Sequence, residues 1–101
     1  MRLTPDQTHA IVVTTQALAG KDALVRLFGS CLHDGLRGGD IDLLVECAQP
    51  VARPVWLAAQ VTASLQRVLG DRRIDVLVLD PATLVEPVHR VARAEGIVLQ
   101  P

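Results

Sequence analysis

The chain has 101 residues, half of them apolar, with ten basic and eleven acidic side chains and a formal net charge of -1. That balance describes one globular domain, 1–101, and excludes a disordered or two-domain chain. Arg and Lys are spread along the chain, which excludes a generic electrostatic footprint for nucleic acid. Apolar runs such as 11–13 and 76–79 fall far short of the roughly 20 residues of a bilayer span. The first seven residues hold no apolar signal core, so no secretory signal is expected and the expected location is the cytoplasm. Cys31 and Cys47 lack metal-site or CxxC spacing and read as reduced thiols.

Thr4-Pro5-Asp6-Gln7 joins an N-cap hydroxyl, a Pro at the first helical position and a Gln three residues after the cap, so a helix is expected from here to about Leu18. Ile11, Thr15 and Leu18 form its inner side, and Gly20 stops it. Leu24-Val25-Arg26-Leu27-Phe28, closed by Gly29, reads as a first strand. Residues 30–39 hold three glycines and no strong periodicity, so a turn with at most two helical turns is expected. A second strand runs from Asp40 to Glu46, and Pro50 and Pro54 bracket the loop that leaves it. Leu57, Val61, Leu65 and Val68 recur at helical spacing up to Gly70. The β-branched run 73–79 gives a third strand. Asp80-Pro81 is expected to cap a further helix with Leu84, Val88, Val91 and Glu95 on one side, ended by Gly96, and 97–99 adds a short edge strand.

Three acids lie inside strand segments, where Asp is disfavoured: Asp40, Asp42 and Asp75. Residues two apart on a strand share a face about 6.5 Å apart, so Asp40 and Asp42 project together, and Asp75 joins them if its strand is the neighbour. Converging carboxylates, with no Lys or Arg evident in the same short segments to offset them, repel one another and resist ionising. Divalent cations relieve that repulsion, and two Mg²⁺ about 4 Å apart clamp an in-line phosphoryl displacement. Upstream, Phe28-Gly29-Ser30 closes a strand and opens a turn, where backbone N–H groups can receive a phosphate and Gly29 permits close approach. Neither the P-loop nor the dinucleotide spacing is present.

Taken together, Gly29-Ser30, Asp40-Ile41-Asp42 ten residues after the Ser, and Asp75 on a later strand resemble the nucleotidyltransferase signature of the DNA polymerase beta-like superfamily. The stretch from Leu27 through Val45 looks most like the minimal nucleotidyltransferases, stand-alone domains, many of them antitoxins paired with HEPN-domain partners. The segments 73–79 and 94–99 share the likeness. The resemblance implies an α/β fold, a small mixed β-sheet of three or four strands with helices mainly on one face. It implies Mg²⁺-dependent transfer of a nucleoside monophosphate from an NTP, ATP by preference, to an acceptor hydroxyl. Gly29 and Ser30 would hold the phosphates, Asp40 and Asp42 the two metal ions, and Asp75, a further metal ligand, would help activate the acceptor. The family commonly has an Arg directly after the Gly-Ser and a second basic residue two further on. This chain has Cys31, Leu32 and His33 there, with Arg37 the nearest substitute. A chain this short has no second domain to select the acceptor, so a HEPN-type partner protein, or a homodimer or hetero-oligomer more generally, is expected.

Other readings stay open. A non-catalytic antitoxin or binding subunit would retain the same fold, and a structural domain would carry the acids as surface decoration. Asp75 could pair with Arg72 or Arg73 on the surface, and Gly29-Ser30 could be an ordinary capping turn. Cys31, His33 and Asp34 invite a zinc site but lack a fourth ligand. His9 and His89 read as helix-surface or satisfied core residues. Trp56 reads as packing at the start of its helix, with stacking on a base as the alternative.

Overall fold

The computed structural model describes residues 3–29, 40–70, 72–82 and 85–100. Its order is α1 (Pro5–Ala19), β1 (Leu24–Phe28), β2 (Ile41–Glu46), α2 (Pro54–Leu69), β3 (Ile74–Leu79), α3 (Pro87–Glu95) and β4 (Ile97–Val98). The strands form one mixed sheet in the order β3-β2-β1-β4. β1 pairs antiparallel with β2 and β4, whereas β2 and β3 run parallel and are joined by α2, the helical crossover that parallel neighbours require. Among the described residues no helix is long and apolar enough to cross a membrane.

Local chemistry sets the start of α1. The Gln7 N–H donates to Thr4 Oγ1 at 3.2 Å while the Thr4 N–H donates to Gln7 Oε1 at 2.9 Å, the reciprocal capping expected from Thr4-Pro5-Asp6-Gln7. Gly20 follows at φ 112°. The inner face is turned slightly from the expected one: Ile11, Val12 and Thr15 are buried and Leu18 is exposed. In α2 the buried positions are Leu57, Val61 and Leu65, one turn apart, while Val68 emerges into solvent near the helix end.

Strand alternation divides the interior in two. Ile41, Leu43 and Val45 of β2, Val25 and Leu27 of β1 and Ile74 and Val78 of β3 point to one face, where α1 and α2 cover them. Leu44 and Leu79 point to the other and meet Ala92 of α3, with Phe28, Leu77 and Val85 packed around them. Two helices thus cover one face and the third crosses the opposite one. Glu46 fastens that third helix: its Oε1 accepts from Arg26 Nε of β1 at 3.0 Å and from Arg93 Nε of α3 at 2.9 Å.

The segment after β3 departs from the expected helix. α3 starts at Pro87, not at Asp80-Pro81, with Glu86 as its N-cap. Asp80 is 7% exposed, and its carboxylate accepts from the backbone N–H groups of Val51 and Ala82. It therefore ties the β2–α2 loop to the turn after β3, because an Asp side chain caps a tight turn as readily as a helix. The helix face is also rotated. His89 and Ala92 are buried, Val88, Val91 and Glu95 are exposed, and Leu84 lies outside the described residues. His89 is a satisfied core residue whose Nδ1 accepts the Glu86 N–H at 2.9 Å. Cys47 is a buried free thiol. Desolvation, reinforced by the charge of Asp80, pushes its pKa up, so it is inert rather than nucleophilic.

Candidate functional site

One end of the sheet gathers the acids. β2 and β3 begin there and β1 ends there, so the amino ends of two parallel strands lie beside the Phe28-Gly29 turn. Asp42 stands opposite Asp75 in the β2–β3 register and opposite Phe28 in the β1–β2 register, which makes Phe28, Asp42 and Asp75 a row across three strands on the α3 side. Asp40 directly precedes β2 and shares its side with Asp42. The condition on which Asp75 joins the other acids holds: β3 is the neighbour of β2, and their pairing brings Asp75 to Asp42.

The row differs in solvation along its length. The Asp75 and Asp40 carboxylates are about half exposed. Asp42 is more enclosed, with Phe28 directly across from it. Its pKa is raised, first by desolvation, then by the charges of Asp75 and Asp40 and by a hydrogen bond to the Asp75 side chain, against a lowering contribution from Arg73. The carboxyl that would hold a shared proton is therefore the inner one.

Gly29 lies against the inner acid. It has φ 77°, a left-handed conformation that side chains rarely adopt, and a Cβ built on it would overlap the Asp42 carboxylate oxygen. The backbone at the end of β1 passes directly against the inner acid. Ser30 and Arg37, expected to hold phosphate, lie outside the described residues, as do Cys31, His33 and Asp34.

The alternative that Arg73 pairs with Asp75 is met, and the expectation that the acids have no Lys or Arg in their own short segments is corrected. The Arg73 Nε lies 3.6 Å from Asp75 Oδ2 and 4.0 Å from Asp40 Oδ2, so the acids have a counter-charge in their own strand segment. The signal was legible: Arg73 and Asp75 are two apart, the same spacing that pairs Asp40 with Asp42. The guanidinium is 73% exposed, so it offsets the repulsion without adding much stability. Among the described residues no three His, Cys, Asp or Glu side chains are close enough to hold one metal ion together. Asp40 and Asp75 turn toward Arg73, and Asp42 toward Asp75.

Trp56 takes no part in this cluster. It opens α2, which covers the sheet face opposite to that of Asp42 and Asp75, and its ring carries the Arg53 guanidinium 5.5 Å from its centroid. No protein-family model and no curated protein matches this chain.

Proposed function

We propose that the chain is a Mg²⁺-dependent nucleotidyltransferase of the polymerase beta-like fold, moving AMP from ATP to an acceptor hydroxyl. The observation that carries this reading is the side-by-side placement of Asp42 and Asp75 on adjacent parallel strands, with Gly29 pressed against the Asp42 carboxylate. Two features support a cation here. The donors are hard carboxylate oxygens, the ligand type Mg²⁺ takes. The inner carboxyl is also destabilised as an anion by its acidic neighbours, a condition that a divalent cation relieves.

Asp40 and Asp42 would hold the metal ions, with Asp75 as a further ligand. Mg²⁺, when bound, lowers the pKa of the attacking hydroxyl and neutralises the departing pyrophosphate. The acceptor oxygen forms a bond to the α-phosphorus as the bond from that phosphorus to the α–β bridging oxygen breaks. The hydroxyl proton passes to the Asp75 carboxylate, the more solvated of the row. Gly29, whose missing side chain makes room for the Asp42 carboxylate, and Ser30 and Arg37 after it in sequence are the phosphate-binding candidates. The acceptor is a hydroxyl on a partner protein of HEPN type in the cytoplasm.

A second reading is favoured by Arg73, which already offsets two of the three acids. On that reading the chain is a non-catalytic antitoxin or binding subunit that retains the fold. Two measurements separate them. Mg²⁺ with ATP should raise the melting temperature of the wild type, by mass action on the folded state, and not that of Asp42→Asn. Labelled AMP should then appear on the cognate partner. Equal thermal shifts in both proteins would remove the site assignment, and binding without transfer would leave the non-catalytic reading.

A further inference from the structure

We propose that Arg73 works in two positions, as counter-ion to Asp40 and Asp75 before divalent cations bind and as a ligand of the nucleoside triphosphate once they have, an assignment that rests on the nucleotidyltransferase reading. The backbone fixes where Arg73 stands. Ile41 N donates to Arg73 O at 2.9 Å, which carries the parallel register one step below the Ile41–Ile74 pair and makes Arg73 the cross-strand neighbour of Asp40. Asp42 and Asp75 are the next such pair on the same side. The four residues therefore form a two-by-two array, about 4.8 Å across the strands and about 6.5 Å along them, with acids at three corners and Arg73 at the fourth.

Arg73 holds its acids loosely. Its Nε lies 3.6 Å from Asp75 Oδ2 and 4.0 Å from Asp40 Oδ2, both longer than an N–H···O bond, and the side chain is largely in solvent. By contrast Arg26 and Arg93 reach Glu46 at 3.0 and 2.9 Å, and the Glu46 side chain is mostly enclosed. An exposed guanidinium spread between two carboxylates contributes little, so its release costs little.

Charge then decides the second position. Before cations bind, three carboxylates outnumber one guanidinium and hold it. With two divalent cations bound, the acids are more than neutralised, Arg73 loses its attraction to them, and the anion within its reach is the triphosphate. A guanidinium suits that anion, because its planar fork pairs with two phosphate oxygens at once, whereas a Lys ammonium acts as a point charge. The exchange of partners needs side-chain rotation alone, with the Arg73 carbonyl still bonded to Ile41.

Isothermal titration of the wild type, Arg73→Gln and Arg73→Lys with MgCl₂ alone, and then with ATP at saturating Mg²⁺, tests this. Arg73→Gln should bind Mg²⁺ alone about threefold more tightly, because the competing counter-ion is gone. It should bind ATP about tenfold more weakly. Arg73→Lys separates the fork from the charge: it should return Mg²⁺ affinity to that of the wild type and leave ATP affinity close to that of Arg73→Gln. Position 73 is exposed, so both variants should fold, and their melting temperatures without ligand check this. A Lys variant that binds ATP as the wild type does, or a Gln variant unchanged toward Mg²⁺ or toward ATP, would overturn the proposal and leave the site reading in place. A wild type that binds neither Mg²⁺ nor ATP would remove both.

Discussion

Asp42 stands opposite Asp75, its register partner across the parallel β2–β3 pair, and the charge of Asp75 helps push its pKa up. Two like-charged side chains are thus held together by backbone pairing. The sheet is stabilised by the apolar residues around them, Leu43, Leu44, Ile74 and Val78, which are buried. The acids themselves raise the free energy of the folded state.

Replacing the inner acid should therefore stabilise the metal-free protein. The folded-state pKa of Asp42 lies above its ordinary value of 3.8. Between 3.8 and the raised value the folded protein holds more protons than the unfolded chain, so stability falls as pH rises through that window and stays lower above it. Asp42→Asn removes this dependence. Its melting temperature should exceed that of the wild type at neutral pH, and the gap should close below about pH 4. Thermal unfolding across pH without divalent cations checks this, and a variant less stable than the wild type at neutral pH would contradict it.

Gly29→Ala should damage the site more than the fold. The φ of 77° costs a non-glycine residue about 1–2 kcal/mol. The added methyl displaces the Asp42 carboxylate, whose flexible end can swing aside. The expected result is a stability loss in that range with loss of the Mg²⁺–ATP thermal shift. A variant that keeps the full shift would separate Gly29 from the ligand site.

Asp80→Ala should destabilise the chain by about 1–3 kcal/mol, because two backbone N–H groups lose a buried, charged acceptor. Chemical denaturation measures the loss, and hydrogen exchange at Val51 and Ala82 should rise with it. If Asp80 only started a helix, Val51 would be unaffected.

Thr15 offers the opposite effect. It is fully buried on α1, and its Oγ1 has no hydrogen-bond partner among the described residues. Thr15→Val replaces that hydroxyl with a methyl of similar volume and should raise stability by about 1 kcal/mol. An unchanged or lower denaturation midpoint would show that the hydroxyl is satisfied in solution.

Local signals along the chain were enough for the elements they act on. The Thr4-Pro5-Asp6-Gln7 cap, the β1 segment closed by Gly29, and the 57–61–65 spacing of α2 each operate within a few residues, and each element forms where those signals lie. The face shared by Asp40 and Asp42 was likewise legible, because strand side chains alternate whatever the partner. Where Asp80 signalled, the sequence was ambiguous, since a turn and a helix start use the same side-chain acceptor. Only packing against Val51 selected the turn. The tertiary structure alone decided which strands are neighbours. Register across β2 and β3 set Asp75 beside Asp42 and brought Arg73 to Asp40. Each of those pairs joins residues more than 30 positions apart, and no local propensity encodes them: they follow from burying both apolar faces of one sheet beneath three helices.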